Sequence, residues 1–171
     1  MSRVSHRLVR TALVSRVNAL GLTDRVYEFE RFADRIEDLK ALYAHNGAIK
    51  GGFIQRVSGS EDERGTCQPY LDSWQLSLYQ SWSDSGESAL DFDDWIDSII
   101  DAFERGESLD SSETFGLSGN DKSGCVALLN AQPVKFAGVL CHSATLQIIT
   151  YRCASYEEKA LSAGCIQARS K

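Results

Sequence analysis

The sequence predicts an α+β fold, a mostly antiparallel or mixed β-sheet flanked by helices in a single domain. Three observations carry this. Ser73 to Trp82 alternates, with Trp74, Leu76, Leu78 and Trp82 on one face and Ser73, Gln75, Ser77, Tyr79 and Ser81 on the other. That period of two belongs to a half-buried strand. Past a Ser/Asp/Gly turn at 83–88 the period changes: Phe92, Trp95, Ile96, Ile99, Ile100 and Phe103 recur at three- and four-residue steps, one apolar face of a helix from Ala89 to Arg105 with Gly106 at its end. The whole order reads helix, helix, strand, strand, helix, strand, strand, which is the order of an α+β domain.

With 171 residues, the chain suits one domain with one core. The core spans about 4–153, with 154–171 a C-terminal extension. A first helix is expected from a Ser2 cap to Leu20, with Gly21 beyond it and Val4, Leu8, Ala12, Leu13, Val17 and Leu20 as its apolar side. Val26 and Tyr27 with Phe29 and Phe32 read as a short strand or an extended segment closing over the core, and Ile36 to Ala44 as a short helix. His45-Asn46-Gly47 is a turn signal. Lys50 to Val57 is a strand in which Gly51 and Gly52 mark a bulge or a close backbone approach. Gly59 to Gly65 is a charged hairpin tip carrying Glu61, Asp62 and Glu63. Glu107 to Gly124 is loop-like, Cys125 to Asn130 is apolar but ambiguous, Pro133 to Leu140 and Ser143 to Cys153 are strands, and Tyr156 to Ala163 is a short helix.

Charge is unevenly spread along the chain. Residues 1–60 hold ten Lys/Arg against six Asp/Glu, residues 61–115 two against fifteen, and residues 116–171 six against three. The acidic middle is a poor grip for DNA phosphates, which need clustered cations. Segregated basic and acidic stretches suit contact between subunits. Asp93, Asp97 and Asp101 stack at four-residue steps on the main helix, and Arg3, Arg7 and Arg10 share a face of the first. These two stripes, with Glu61, Asp62 and Glu63, are the candidate contact surfaces. Arginines break up the N-terminal apolar residues, so no signal peptide is expected. No run reaches the ~20 apolar residues of a membrane span, and lipid binding by the first helix lacks the aromatic face such anchors use.

Tests for chemistry give little. Five widely spaced cysteines (Cys67, Cys125, Cys141, Cys153 and Cys165) lack the paired spacing of a zinc site and read as thiols first, disulfides within or between chains second. Cys141 and His142 are neighbours, but adjacent side chains of a strand point to opposite faces. The stretch Gly116 to Ser123 resembles a phosphate-binding loop, yet Asp121 stands where its second glycine belongs. Phe92 and Trp95 interrupt the aspartates of the main helix, unlike a calcium loop. No catalytic, cofactor or metal residues are assigned, and an enzyme is not expected.

The tryptophan strand running through its turn into the helix 89–105, the phrase Pro133-Val134-Lys135-Phe136-Ala137-Gly138-Val139-Leu140-Cys141-His142, the following Ala144-Thr145-Leu146, and Val26 to Arg31 after a short N-terminal helix resemble the tail-terminator (tail-completion) proteins of tailed bacteriophages, particularly contractile-tailed ones. The resemblance covers about Val4 to Cys153. It implies a structural protein of the virion neck: a homo-oligomeric ring, a hexamer in that family, that caps the tail tube and sheath, meets the head-side connector and lets DNA pass as cargo. It implies no catalytic residues and no cofactor. Five cysteines exceed what the family leads one to expect. The alternatives are a head-completion or connector protein or, in another class, a small enzyme or ligand-binding domain using Cys141/His142 or the 116–124 loop.

Overall fold

A computed structural model of the chain describes residues 4–61, 69–83, 87–103, 108–109, 115–118 and 125–153. Helix α1 (His6–Asn18) leads to β1 (Val26–Tyr27), α2 (Ile36–Tyr43), β2 (Ala44–His45), β3 (Ala48–Glu61), β4 (Tyr70–Ser81), α3 (Ser88–Ala102), β5 (Phe115–Leu117), β6 (Val126–Phe136) and β7 (Val139–Arg152). The strands form one seven-stranded sheet ordered β1-β3-β4-β7-β5, with β2 beside β3 and β6 beside β7. All pairs are antiparallel except β1 with β3, so the sheet is mixed and the class is α+β.

The alternation of β4 divides the molecule into two layers. Trp74, Leu76 and Leu78 point with Ile54 of β3 and Leu146 and Ile148 of β7 to the face covered by α1 and α3, where Val9, Leu13, Val17, Phe92, Trp95, Ile96, Ile99 and Phe103 complete the larger core. The opposite face is covered at one end by α2. There Tyr43 meets Tyr27 and Phe136 edge-on at 5.5 and 5.0 Å, and Tyr79 stacks on Phe136 at 4.1 Å. Burial pushes the Tyr43 and Tyr79 phenols above their ordinary value.

Several expectations shift by a residue or an element. The first helix is capped by Ser5, whose side chain accepts from the Arg7 N–H, while Ser2 lies outside the described residues. Its buried stripe is Val9, Leu13, Val14 and Val17; Leu8 is turned outward, 58% exposed, and Phe29 and Phe32 are exposed too rather than closing over the core. Trp82, expected inside, is 46% exposed because β4 ends at Ser81 and the indole stacks on His142 at the rim instead. Ser88 belongs to α3 rather than the turn, and the Gly106 stop lies outside the described residues. The two glycines of β3 serve close approach: a Cβ on Gly52 would lie 2.1 Å from the Ser77 carbonyl oxygen, and one on Gly51 2.6 Å from that of Arg25.

The last hairpin differs most. Cys125 to Asn130 is no separate element; from Val126 it is the first half of β6, and the reversal falls at Ala137-Gly138 rather than near Cys141. Both turn residues have positive φ, 47° and 76°. That is the backbone of a two-residue hairpin turn, which Asn-Gly signals and Ala-Gly does not. The Asn46-Gly47 turn between β2 and β3, at 52° and 83°, has the sequence the geometry favours. The expected helix 156–163 lies outside the described residues.

Candidate functional site

Three surfaces draw attention, the first built from residues the sequence left unremarked. The parity of β4 that buries Trp74 also buries Asp72, which has no exposed surface. A carboxylate so placed needs partners. Arg56 of β3 donates through Nε to Asp72 Oδ1 at 2.6 Å, and Arg152 of β7, 5% exposed, donates through Nε to Oδ2. Arg152 also reaches the Val4 carbonyl at 2.7 Å, tying the start of the chain to the last strand. Both guanidinium groups lie over the Tyr70 ring, at 5.7 and 5.0 Å. Gly59 makes the room: a Cβ there would lie 2.2 Å from Arg56 Nη2 and 2.8 Å from Asp72 Oδ1. His6, in the first turn of α1, holds Nδ1 3.9 Å from Asp72 Oδ2, too far for a hydrogen bond. Burial, then Arg152 and Arg56, push the His6 pKa below its ordinary 6.5, against the pull of Asp72. The signal in the sequence was an aspartate in phase with a core tryptophan.

The second surface is the outer face of α3. Asp91, Asp93, Asp94, Asp97 and Asp101 are all exposed, and among the described residues no salt bridge reaches them. Among the described residues, no member of the α1 arginine stripe forms a salt bridge with it. Arg3 lies outside the described residues, Arg7 is exposed, and Arg10 folds inward with its guanidinium 5.6 Å from the Trp74 ring centroid. The link between α1 and α3 is Arg16, which donates to the Ala102 carbonyl at 2.6 Å and lies over Phe103. A cation there offsets the negative end of a helix that has no basic residue in its last turn. Glu61 is exposed at the end of β3; Asp62 and Glu63 lie outside the described residues.

The third surface is the edge strand β6. Ten of its eleven residues pair with β7, Leu129 being skipped, and among the described residues it pairs with no other strand. Leu128 and Leu129 are 47% and 57% exposed, at a register shift between Leu128 and Asn130.

The cysteines scatter. Cys67 and Cys165 lie outside the described residues, and no disulfide joins Cys125, Cys141 and Cys153 to one another. Cys125 donates to the Phe103 carbonyl in the larger core. Cys141 is fully buried in the smaller core, where burial pushes its thiol up to about 11. Its neighbour His142 faces the other layer, stacked on Trp82 and Phe92 and hydrogen-bonded to Ser88 Oγ at 3.1 Å. A nucleophile activated by a base requires the two within hydrogen-bond reach, and the sheet lies between them. Gly116 sits inside strand β5, and 119–124 lie outside the described residues. Among the described residues no three His, Cys, Asp or Glu side chains come together as a metal site, and no helix is long and apolar enough to cross a membrane.

No protein-family profile matches the chain, and no curated protein matches it in sequence. Among solved structures, 21 chains match. One of them is 15% identical over 90% of this chain and 98% of its own, with a TM-score of 0.48, a likeness too slight to carry an argument about function.

Proposed function

We propose that the chain is a structural subunit of a phage tail, a tail terminator that closes into a ring on the tube and sheath and joins them to the head-side connector in the virion neck. The observation that carries this reading is the edge strand β6. A strand with one row of unpaired backbone groups is a template for another chain, and stable monomers blunt such edges with prolines, charges and bulges. In β6 Pro133 and Lys135 guard the second half, while Val126 to Gln132 has only the bulge at Leu129 and exposes two leucines. The exposed aspartates of α3 supply a second, charged contact for which the chain itself holds no partner among the described residues. Ring closure through repeated head-to-tail contacts would use one surface of each kind.

The test is mass by light scattering together with negative-stain images, alone and with tail-tube protein. Wild-type protein is expected to form rings. Leu129→Glu is expected to leave monomers with unchanged circular dichroism, because the side chain is exposed. Asp97→Lys with Asp101→Lys is expected to weaken assembly without unfolding. A wild-type monomer that forms no ring even with tube protein present overturns the reading.

A further inference from the structure

Where the chain leaves β4 at Trp82, a cleft of about 270 Å³ opens between the start of α3 and the edge strand β6. Its lining is aromatic. The Trp82 indole stacks on the His142 ring at 4.2 Å with 17° between the planes, and the buried Phe92 lies 5.7 Å from the same imidazole. Two hydrogen bonds fix the stack: the Trp82 N–H donates to the Leu140 carbonyl at 2.9 Å, and His142 Nε2 is tied to Ser88 Oγ at 3.1 Å. Pro133 of β6 lines the cleft as well, and so does Asp93 of α3, one turn beyond Ala89.

This lining selects a cation. The indole face, 46% exposed, attracts a guanidinium electrostatically. The exposed Asp93 carboxylate can only accept hydrogen bonds, and among the described residues no salt bridge reaches it and no lysine or arginine lines the cleft. A planar guanidinium laid on the indole can turn its N–H groups toward Asp93 and use both.

One member of the α1 arginine stripe suits that role. Arg10 is folded onto Trp74, whereas Arg7 is exposed and forms no ion pair among the described residues. Arg7 cannot reach Asp93 of its own chain. It follows His6 at the Asp72–Arg152 end of the sheet, and His142 stands ten residues before Arg152 on β7, about 33 Å away at the rise of a strand. The two also lie on different flanks. Helix α1 packs beside β1, toward one edge of the sheet, whereas α3 lies across β4 and β7 and the cleft borders β6 at the other. Setting the β6 flank of one copy against the α1 flank of the next brings Arg7 and Asp93 together, in a contact that repeats head to tail.

We propose that this cleft receives Arg7 of a second copy of the chain, its guanidinium laid over Trp82 and paired with Asp93. The contact rests on the ring reading above and names the side chains of one of its joints.

The test measures self-association of the full chain by sedimentation velocity and negative-stain images in wild type, Arg7→Glu, Asp93→Lys and Trp82→Ala. All three side chains are exposed, so unchanged circular dichroism is expected. Arg7→Glu and Asp93→Lys are each expected to associate about tenfold more weakly, the combined scale of an ion pair and a cation–π contact, and Trp82→Ala about threefold. Mixed one to one, Arg7→Glu and Asp93→Lys are expected to assemble again, because each contact in the mixture can pair opposite charges. Wild-type rings that all three variants form equally well overturn this contact and leave the ring standing; a wild type that stays monomeric overturns both. Weakening by Asp93→Lys but not by Arg7→Glu gives the cleft to another basic group and overturns the proposal, as does a mixture that fails to recover.

Discussion

Asp72 shows how one side chain can bind three parts of the chain. Its carboxylate joins β3 through Arg56 and β7 through Arg152, and Arg152 continues to the Val4 carbonyl before α1. Replacing such a pair by apolar residues is often harmless, but removing one partner strands buried charge. Asp72→Asn leaves two guanidinium groups without a counter-charge, and a loss of about 3–5 kcal/mol is expected in urea unfolding. His6 sets a pH dependence beside it. Its folded pKa lies below its ordinary 6.5, so the unfolded chain takes up the proton first as pH falls. Stability contributed by the neutral ring is therefore complete above 6.5 and declines as pH drops through 6.5 toward the folded value. Unfolding free energies from pH 7.5 to 5 should fall less steeply in His6→Asn than in the wild type. Equal slopes would remove His6 from the account.

At the scale of elements, backbone proximity rather than side-chain character decides two joints. Val26 lies parallel to Gly52, whose N–H donates to the Arg25 carbonyl at 3.0 Å while its other flank presses on Ser77. Gly52→Ala drives a methyl group into the β4 backbone, and a cost of about 3 kcal/mol, the upper range for overpacking, is expected in thermal or urea unfolding. The β6–β7 turn errs in the opposite sense. Ala137 holds a φ of 47°, where an ordinary side chain costs about 1–2 kcal/mol and asparagine is better tolerated. Ala137→Asn would reproduce the Asn-Gly pair of the β2–β3 turn, and a gain of about 0.5 kcal/mol is expected. A loss instead would mean that the contact of the Ala137 methyl with the smaller core outweighs the backbone strain.

For the whole molecule, the described residues cover one face of the sheet well and the other in part. Helices α1 and α3 share the first; on the second, among the described residues, α2 covers the end near Tyr43 and Phe136. Beyond that end lie Ser73, Gln75 and Gln147, half-buried and polar, with Gln147 donating to Ser73 Oγ at 2.9 Å. Polar groups on an open antiparallel face are compatible with solvent, whereas β6 exposes Leu128 and Leu129 at the sheet's edge. There the exposed leucines lie in the same strand that closes the hairpin with β7. The assembly proposed for the chain is thus argued at an edge, beside the middle of β7, where Leu128 pairs with Leu146.

Local periodicity was enough for the class of fold and most elements. The alternation of Trp74, Leu76 and Leu78 and the helical recurrence of Phe92, Trp95, Ile96 and Ile99 are properties of neighbours in sequence, and burial follows them directly. The opposite faces of Cys141 and His142 follow from the same pleat. What the sequence could not decide depends on who lies across. Whether Leu8 or Val9 turns inward is set by the angle at which α1 meets the sheet, Trp82 by where β4 ends, and the hairpin at Ala137 by the pairing of β6 with β7 overriding an unfavourable turn residue. The Arg56–Asp72–Arg152 cluster belongs to this second kind. Its members are far apart in the chain and join because register sets Asp72 between Gly59 and Thr150, one strand on either side. A buried aspartate can be read from the phase of one strand; its arginines can be found only from the strands beside it.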